Sequence, residues 1–100
     1  MQLPSDRLKR KVEKENLWVF VLSVLSGSDF TGSEIKKLVT KKFGFLTGNV
    51  TVYKVLYLLE KGGYVSSSKK GKAVVYKITL KGGKELEKAR DFLIETGRSI

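Results

Sequence analysis

Tyr53, Lys54, Tyr57 and Lys61, together with Val50, fall on one arc of residues 48–63 when these are spaced at the 100° per residue of an α-helix. The opposite arc carries Val52, Val55, Leu56 and Leu59, the i, i+3, i+4, i+7 spacing of a helix that buries one face. The outward arc is aromatic and basic, with no carboxylate in its middle. In a DNA major groove, lysines of such an array can meet phosphates or guanine edges, and tyrosine hydroxyls can meet phosphate oxygens. An ordinary solvated amphipathic helix has the same pattern, so the rest of the chain must decide between the two.

Composition narrows the choice. Cysteine and histidine are both absent, which removes disulfides, thiolate nucleophiles, imidazole acid–base catalysis and the usual zinc ligand sets. No pair of acids sits in a catalytic pattern, so the sequence predicts no enzyme, no metal and no cofactor. The net charge is +10 over 100 residues and favours a polyanionic partner. That charge is concentrated: residues 34–72 hold nine lysines against two glutamates, a surplus of seven. The flanking segments are nearly balanced, so the basic surplus coincides with the suspected reading helix.

The chain around that helix supplies what must position it. Pro4-Ser5-Asp6 starts a charged first helix, with Ser5 as the expected cap and Leu8 and Val12 as a narrow apolar stripe. Leu17–Leu25 is apolar nearly all round, which marks a buried core helix. If the helix continues unbroken into it, Leu8, Val12, Val19 and Leu22 form one seam, and covering every side calls for a second subunit. Nine residues are too few to span a membrane, and the preceding charges do not suit a signal peptide.

Residues 26–29 are a turn cluster. Thr31 three residues before Glu34 predicts a capping box, and Ile35, Leu38, Val39 and Phe43 give the second helix its apolar face, closed by Gly44. Lys36, Lys37, Lys41 and Lys42 fall on its wet side, either as a solvated face or with one or two meeting phosphate. After Gly62-Gly63 the period becomes extended: Tyr64–Ser68 and Ala73–Leu80 read as a hairpin joined by a basic tip, Lys69–Lys72. Thr79 caps a last helix to about Thr96, whose first turn Gly82-Gly83 makes irregular. Leu86, Ala89 and Leu93, flanked by Phe92 and Ile94, form an arc broader than one chain's flank requires.

Helix, helix, reading helix, two-stranded wing and last helix, in that order, make a winged helix-turn-helix: an α+β, mainly α fold with N-terminal and C-terminal dimerisation helices. The chain resembles the PadR family of transcriptional regulators from about Leu17 to Leu93. The residues that carry this are Val24-Leu25-Ser26, Gly32-Ser-Glu-Ile35, Thr51-Val-Tyr53 followed by Leu56 and Leu59-Glu60, and Tyr76-Lys-Ile-Thr79 with Gly82 or Gly83. One departure is Ser33, where that family often has an aromatic residue. The resemblance implies a cytoplasmic, nucleoid-associated homodimer of the compact branch that binds double-stranded DNA, often as a repressor. It further implies that the last helix packs on the partner's first helix, and that a small aromatic or drug-like effector can bind near the dimer interface, where Trp18 either lines the pocket or packs in the core.

The expected DNA contacts are Lys37, Asn49, Thr51, Tyr53, Lys54, Tyr57, Lys69, Lys70 and Lys72. The expected dimer contacts are Leu8, Val12, Trp18, Leu86, Ala89, Phe92 and Leu93. One domain is expected over 1–100, with a helical extension at 1–16, a winged core at 17–80 and a dimerisation helix at 81–100. Two other functions stand beside this one: a nucleoid-type protein that coats DNA with little sequence preference, which the high lysine content allows, and a winged-helix module that contacts protein or RNA, whose surface should not show a basic third helix and a basic wing together as this chain does.

Overall fold

The computed structural model describes residues 3–100. Its elements are α1 (Pro4–Glu15), α2 (Leu17–Leu25), β1 (Phe30–Thr31), α3 (Gly32–Phe43), α4 (Asn49–Lys61), β2 (Val65–Lys70), β3 (Ala73–Ile78) and α5 (Leu80–Ser99). Helices dominate, and the three strands form one small antiparallel sheet ordered β1-β3-β2.

The N-terminal helix is two helices, not one. Asn16 leaves the helical region, with φ −125° and ψ 34°. Its N–H still donates to the Val12 carbonyl, which closes α1, while its own carbonyl accepts from Val19 as α2 begins. The break separates two segments with different packing needs: α1 buries no residue, whereas α2 buries Leu17, Val21, Leu22, Val24 and Leu25. The seam expected of an unbroken helix is therefore absent. Leu22 is inaccessible to solvent while Leu8 is 67% exposed. Ser5 is not the cap either: Leu3 holds that position, Pro4 is the first helical residue, and the Asp6 carboxylate accepts from the Leu3 N–H at 3.3 Å. Proline suits this place because its missing N–H would have had no helical partner.

The core forms around α2. Ile35 and Val39 of α3, Val52, Leu56 and Leu59 of α4, Val65 of β2 and Leu86 of α5 complete it. One chain thus covers most of α2, leaving Trp18, Val19 and Phe20 half-buried. Phe20 meets Phe43 and Phe45 edge-on at 4.8 and 5.0 Å, which anchors both sides of Gly44, where φ is +76° and α3 ends.

The sheet extends the expected hairpin. Strands β2 and β3 pair from Val65↔Ile78 to Lys70↔Ala73, so Lys69 and Lys70 belong to the strand and only Gly71-Lys72 turn. Gly71, with φ +63°, supplies the positive angle that a two-residue hairpin turn needs at its first central position. Strand β1, not read from the sequence, pairs Phe30 with Tyr76 and Thr31 with Val75. Two residues are too few to show a period of two.

Helix α5 starts regularly, contrary to the expected irregular turn. Thr79 Oγ accepts from the Gly82 N–H at 3.1 Å and donates to the Gly63 carbonyl at 2.7 Å. Gly82 is there for space rather than flexibility: a Cβ on it would collide with the Tyr64 carbonyl oxygen and stand 3.0 Å from Ile78 Cγ1. Lys81 completes this joint, donating to the Gly62 carbonyl at 2.7 Å with its ammonium 4.6 Å from the Tyr64 ring centre.

Candidate nucleic-acid interface

Helix α4 turns Val52, Leu56 and Leu59 into the core and leaves Val55 half-buried. Its other arc is free: Tyr53 is 47% and Tyr57 64% exposed, and Val50, Lys54 and Lys61 are exposed with them. Asn49 and Thr51, in the first turn, are exposed as well. That first turn begins after Gly48, which provides no side-chain cap. By contrast, Thr31 caps α3 and Thr79 caps α5. The positive end of α4 therefore keeps backbone N–H groups available to an anion.

The two carboxylates of the basic segment are both engaged inside the protein. Glu34 accepts from the Thr31 N–H at 2.9 Å while its own N–H donates to Thr31 Oγ, the expected capping box. The Thr31 N–H, then the Thr31 side chain and the Lys37 charge hold the Glu34 carboxyl below its ordinary value. Glu60 accepts from the Ser67 hydroxyl at 2.6 Å, tying α4 to β2. The ion pairs of the described residues, Lys9–Glu13, Lys11–Glu15 and Lys88–Glu85, all lie on α1 and α5. None of the nine lysines between 34 and 72 is neutralised by a carboxylate in contact.

The lysines of α3 are not equivalent. Lys37 and Lys41 are exposed and make no hydrogen bond among the described residues, whereas Lys36 is half-buried. Lys42 donates to Ser23 Oγ at 3.0 Å and lies over the Phe43 ring, bound to its own chain. On the wing, Lys69, Lys70 and Lys72 are all exposed. Consecutive strand residues point to opposite faces, so Lys69 and Lys70 flank the hairpin and cannot both meet a backbone lying on one side of it.

Sequence reasoning missed what surrounds Tyr53. Its ring covers Gly32 at the start of α3, and it acts on Tyr76 of β3. Burial first, then the charge of Glu60 and then Tyr53, push the Tyr76 hydroxyl above the ordinary tyrosine value. The only signal in the sequence is a glycine directly after a cap residue.

The residues expected at a dimer contact divide in the same way. Leu8, Phe92 and Leu93 are exposed, Val12, Trp18 and Ala89 half-buried, and Leu86 already buried in the single chain. Val12, Trp18, Val19, Ala89, Phe92 and Leu93 line a groove of about 400 Å³ between the α1–α2 junction and α5. Trp18 also borders a second cleft of about 400 Å³, between α2 and the outer side of α4 at Leu58. No helix among the described residues is long and apolar enough to cross a membrane.

Helix α3, the turn at Gly44, helix α4 and the β2–β3 wing define a winged helix-turn-helix, the fold of a DNA-binding regulator. The profile described as Transcriptional regulator PadR-like family matches residues 21–88, and the chain belongs to that family. Its members are transcription regulators rather than enzymes. A transcriptional regulator from Clostridium thermocellum, Cth-833, is similar over 89% of this chain and 93% of its own, with 26% identity and a TM-score of 0.81. A PadR family regulator from Clostridium difficile R20291 shares 23% identity over 82% of this chain and 91% of its own, at TM-score 0.75. F93 from STIV, a winged-helix DNA-binding protein, shows the same fold at 20% identity and TM-score 0.70, over 80% of this chain and 88% of its own. No curated protein sequence matches significantly.

Proposed function

We propose that this PadR-family regulator is a sequence-specific repressor that acts as a homodimer on double-stranded DNA. Helix α4 enters the major groove through Asn49, Thr51, Tyr53, Lys54 and Tyr57. Lys37 takes the phosphate backbone together with Lys72 and whichever of Lys69 and Lys70 lies on the DNA side of the wing. The observation that carries this reading is the exposed Tyr–Lys arc of α4, set in a segment whose lysines have no carboxylate in contact. Such an arc costs little to leave in water and gains most against a polyanion. The chain works as one domain, residues 1–100, in the cytoplasm on the nucleoid. Its two copies meet through α1 and the outer half of α5, and the groove beside Trp18 is the place for a small aromatic effector.

An anisotropy titration of the protein's own promoter region against a random duplex of equal length tests the reading, because only base-edge contacts and DNA shape create a preference. Preference of about a thousandfold or more is expected, the lower end of what specific regulators show. Equal affinity for both duplexes would make the chain a DNA-coating protein instead. Tyr53→Phe keeps the ring and removes one hydroxyl per subunit. At about 1 kcal/mol per hydrogen bond, the dimer should bind roughly thirtyfold more weakly with its melting temperature unchanged.

The wing gives a separate expectation. Six to eight phosphate contacts per dimer correspond to a slope of log K against log salt of roughly −5 to −7. Since Lys69 and Lys70 face opposite ways, the three wing lysines supply at most about two contacts per subunit. Changing all three to serine should flatten the slope by about 3 to 4 and leave the ranking of sequences intact. A collapsed ranking with an unchanged slope would mean that the wing reads bases or groove shape.

A further inference from the structure

We propose that Gly32 is a positioning residue for DNA recognition: the bare first turn of α3 is the seat that fixes where Tyr53 holds its hydroxyl. The proposal rests on the reading of α4 as the groove helix. Gly32 is buried, and a Cβ on it would stand 2.6 Å from Cζ and 2.7 Å from the hydroxyl oxygen of Tyr53. Conformation does not demand glycine here. Positive φ angles occur at Gly44, Gly63 and Gly71 and not at Gly32, so an L side chain suits its backbone. What glycine provides is room for one particular ring.

The seat lies where three elements meet. Gly32 opens α3 directly after the Thr31–Glu34 capping box, which holds the backbone of that turn from both directions. Tyr53 comes across from α4 and lays its ring over that turn. Thr31, next to Gly32, is itself paired with Val75 of β3, so the floor under the ring is tied to the sheet. With this floor the ring of Tyr53 has one resting place although it is half exposed. An added methyl at position 32 removes the resting place without touching the core: the ring can swing into solvent, and the buried face of α4, Val52, Leu56 and Leu59, stays in place. The substitution therefore moves a groove contact and spares the fold.

The test is a double-mutant cycle with Gly32→Ala, Tyr53→Ala and both together, on the promoter duplex and on a random duplex of equal length. Gly32→Ala should weaken promoter binding about tenfold, leave random-duplex binding nearly unchanged, and add nothing once Tyr53 is already replaced. A purely structural glycine would give additive losses on both duplexes. Additive losses, or wild-type promoter affinity for Gly32→Ala, overturn the proposal. NMR of the free protein reads the seat without DNA: Gly32→Ala should shift the Tyr53 ring resonances and leave those of Tyr57, and Tyr53→Ala should shift the Gly32 α-protons. Unmoved resonances in both variants overturn the seat. If the wild-type protein does not distinguish the two duplexes, it is the groove reading that fails, and the ring and α-proton shifts alone then decide whether the seat exists.

Discussion

Gly82→Ala is expected to lower the melting temperature by about 12 to 24 °C, taking a cost of roughly 3 kcal/mol for an overpacked contact and about 4 to 8 °C per kcal/mol in a chain of this size. The added methyl meets the carbonyl oxygen of Tyr64, a backbone atom that cannot step aside alone, and comes within 3.0 Å of Ile78 Cγ1. Tyr64 O accepts from the Thr79 N–H at 3.1 Å, and Thr79 in turn holds Gly63 and caps α5. Relief by backbone movement must therefore loosen the end of α4, the root of the hairpin and the start of α5 together. The adjacent glycine is the control. A Cβ on Gly83 meets nothing within 4 Å, so Gly83→Ala should gain about 0.4 to 1 kcal/mol through the lower entropy of the unfolded chain. Thermal melts of both variants at one fixed protein concentration, which keeps association from confusing the comparison, decide the matter. Equal effects at the two positions would show that Gly82 has no special contact.

Phe92→Asp is expected to split the proposed homodimer into monomers and to weaken binding to the promoter duplex by at least about a hundredfold. Phe92 is 68% exposed in the single chain, so the substitution leaves the core intact. In a two-fold dimer each change counts twice, and losing two buried phenylalanines removes about 3 to 6 kcal/mol before the cost of desolvating the carboxylates. Deleting α5 from Lys84 onward is a poorer probe, because it also removes Leu86 from the core. Sedimentation at micromolar concentration should show the wild-type chain at twice its 11.2 kDa and the variant at that mass. A wild-type monomer that still binds its site tightly would sink the dimer.

What the sequence made legible is what short stretches decide. The Thr31–Glu34 box, Gly44 after the second apolar face, the buried and free arcs of 48–63 and the Thr79 cap each lie within a few residues, and each is in place. What it hid depends on distant neighbours. The break at Asn16 follows from α2 being enclosed while α1 is not, a difference of packing rather than of helix preference. Strand β1 exists because β3 offers Tyr76 and Val75 as partners. Gly82 looked like a weak helix start and is a close approach to Tyr64. Around the candidate site the lysines and tyrosines were readable as a composition, but the division among them was not: Lys42 bound to Ser23, Lys69 and Lys70 on opposite faces, and Tyr53 resting on Gly32.

The joint at Gly82 also works as a fulcrum. In α5 the exposed patch at Phe92 and Leu93 lies about 16 Å along the axis from Gly82, at 1.5 Å per residue. A tilt of about 10° there would swing Leu93 by about 3 Å, close to the rise of one base pair, ~3.4 Å. The clasp of Thr79, Lys81 and Gly82 on residues 62–64 ties this lever arm to the end of α4. In the proposed dimer, a clasp that keeps its angle would hold the two copies of α4 at one spacing, and a loosened clasp would accept operators one base pair too long or too short.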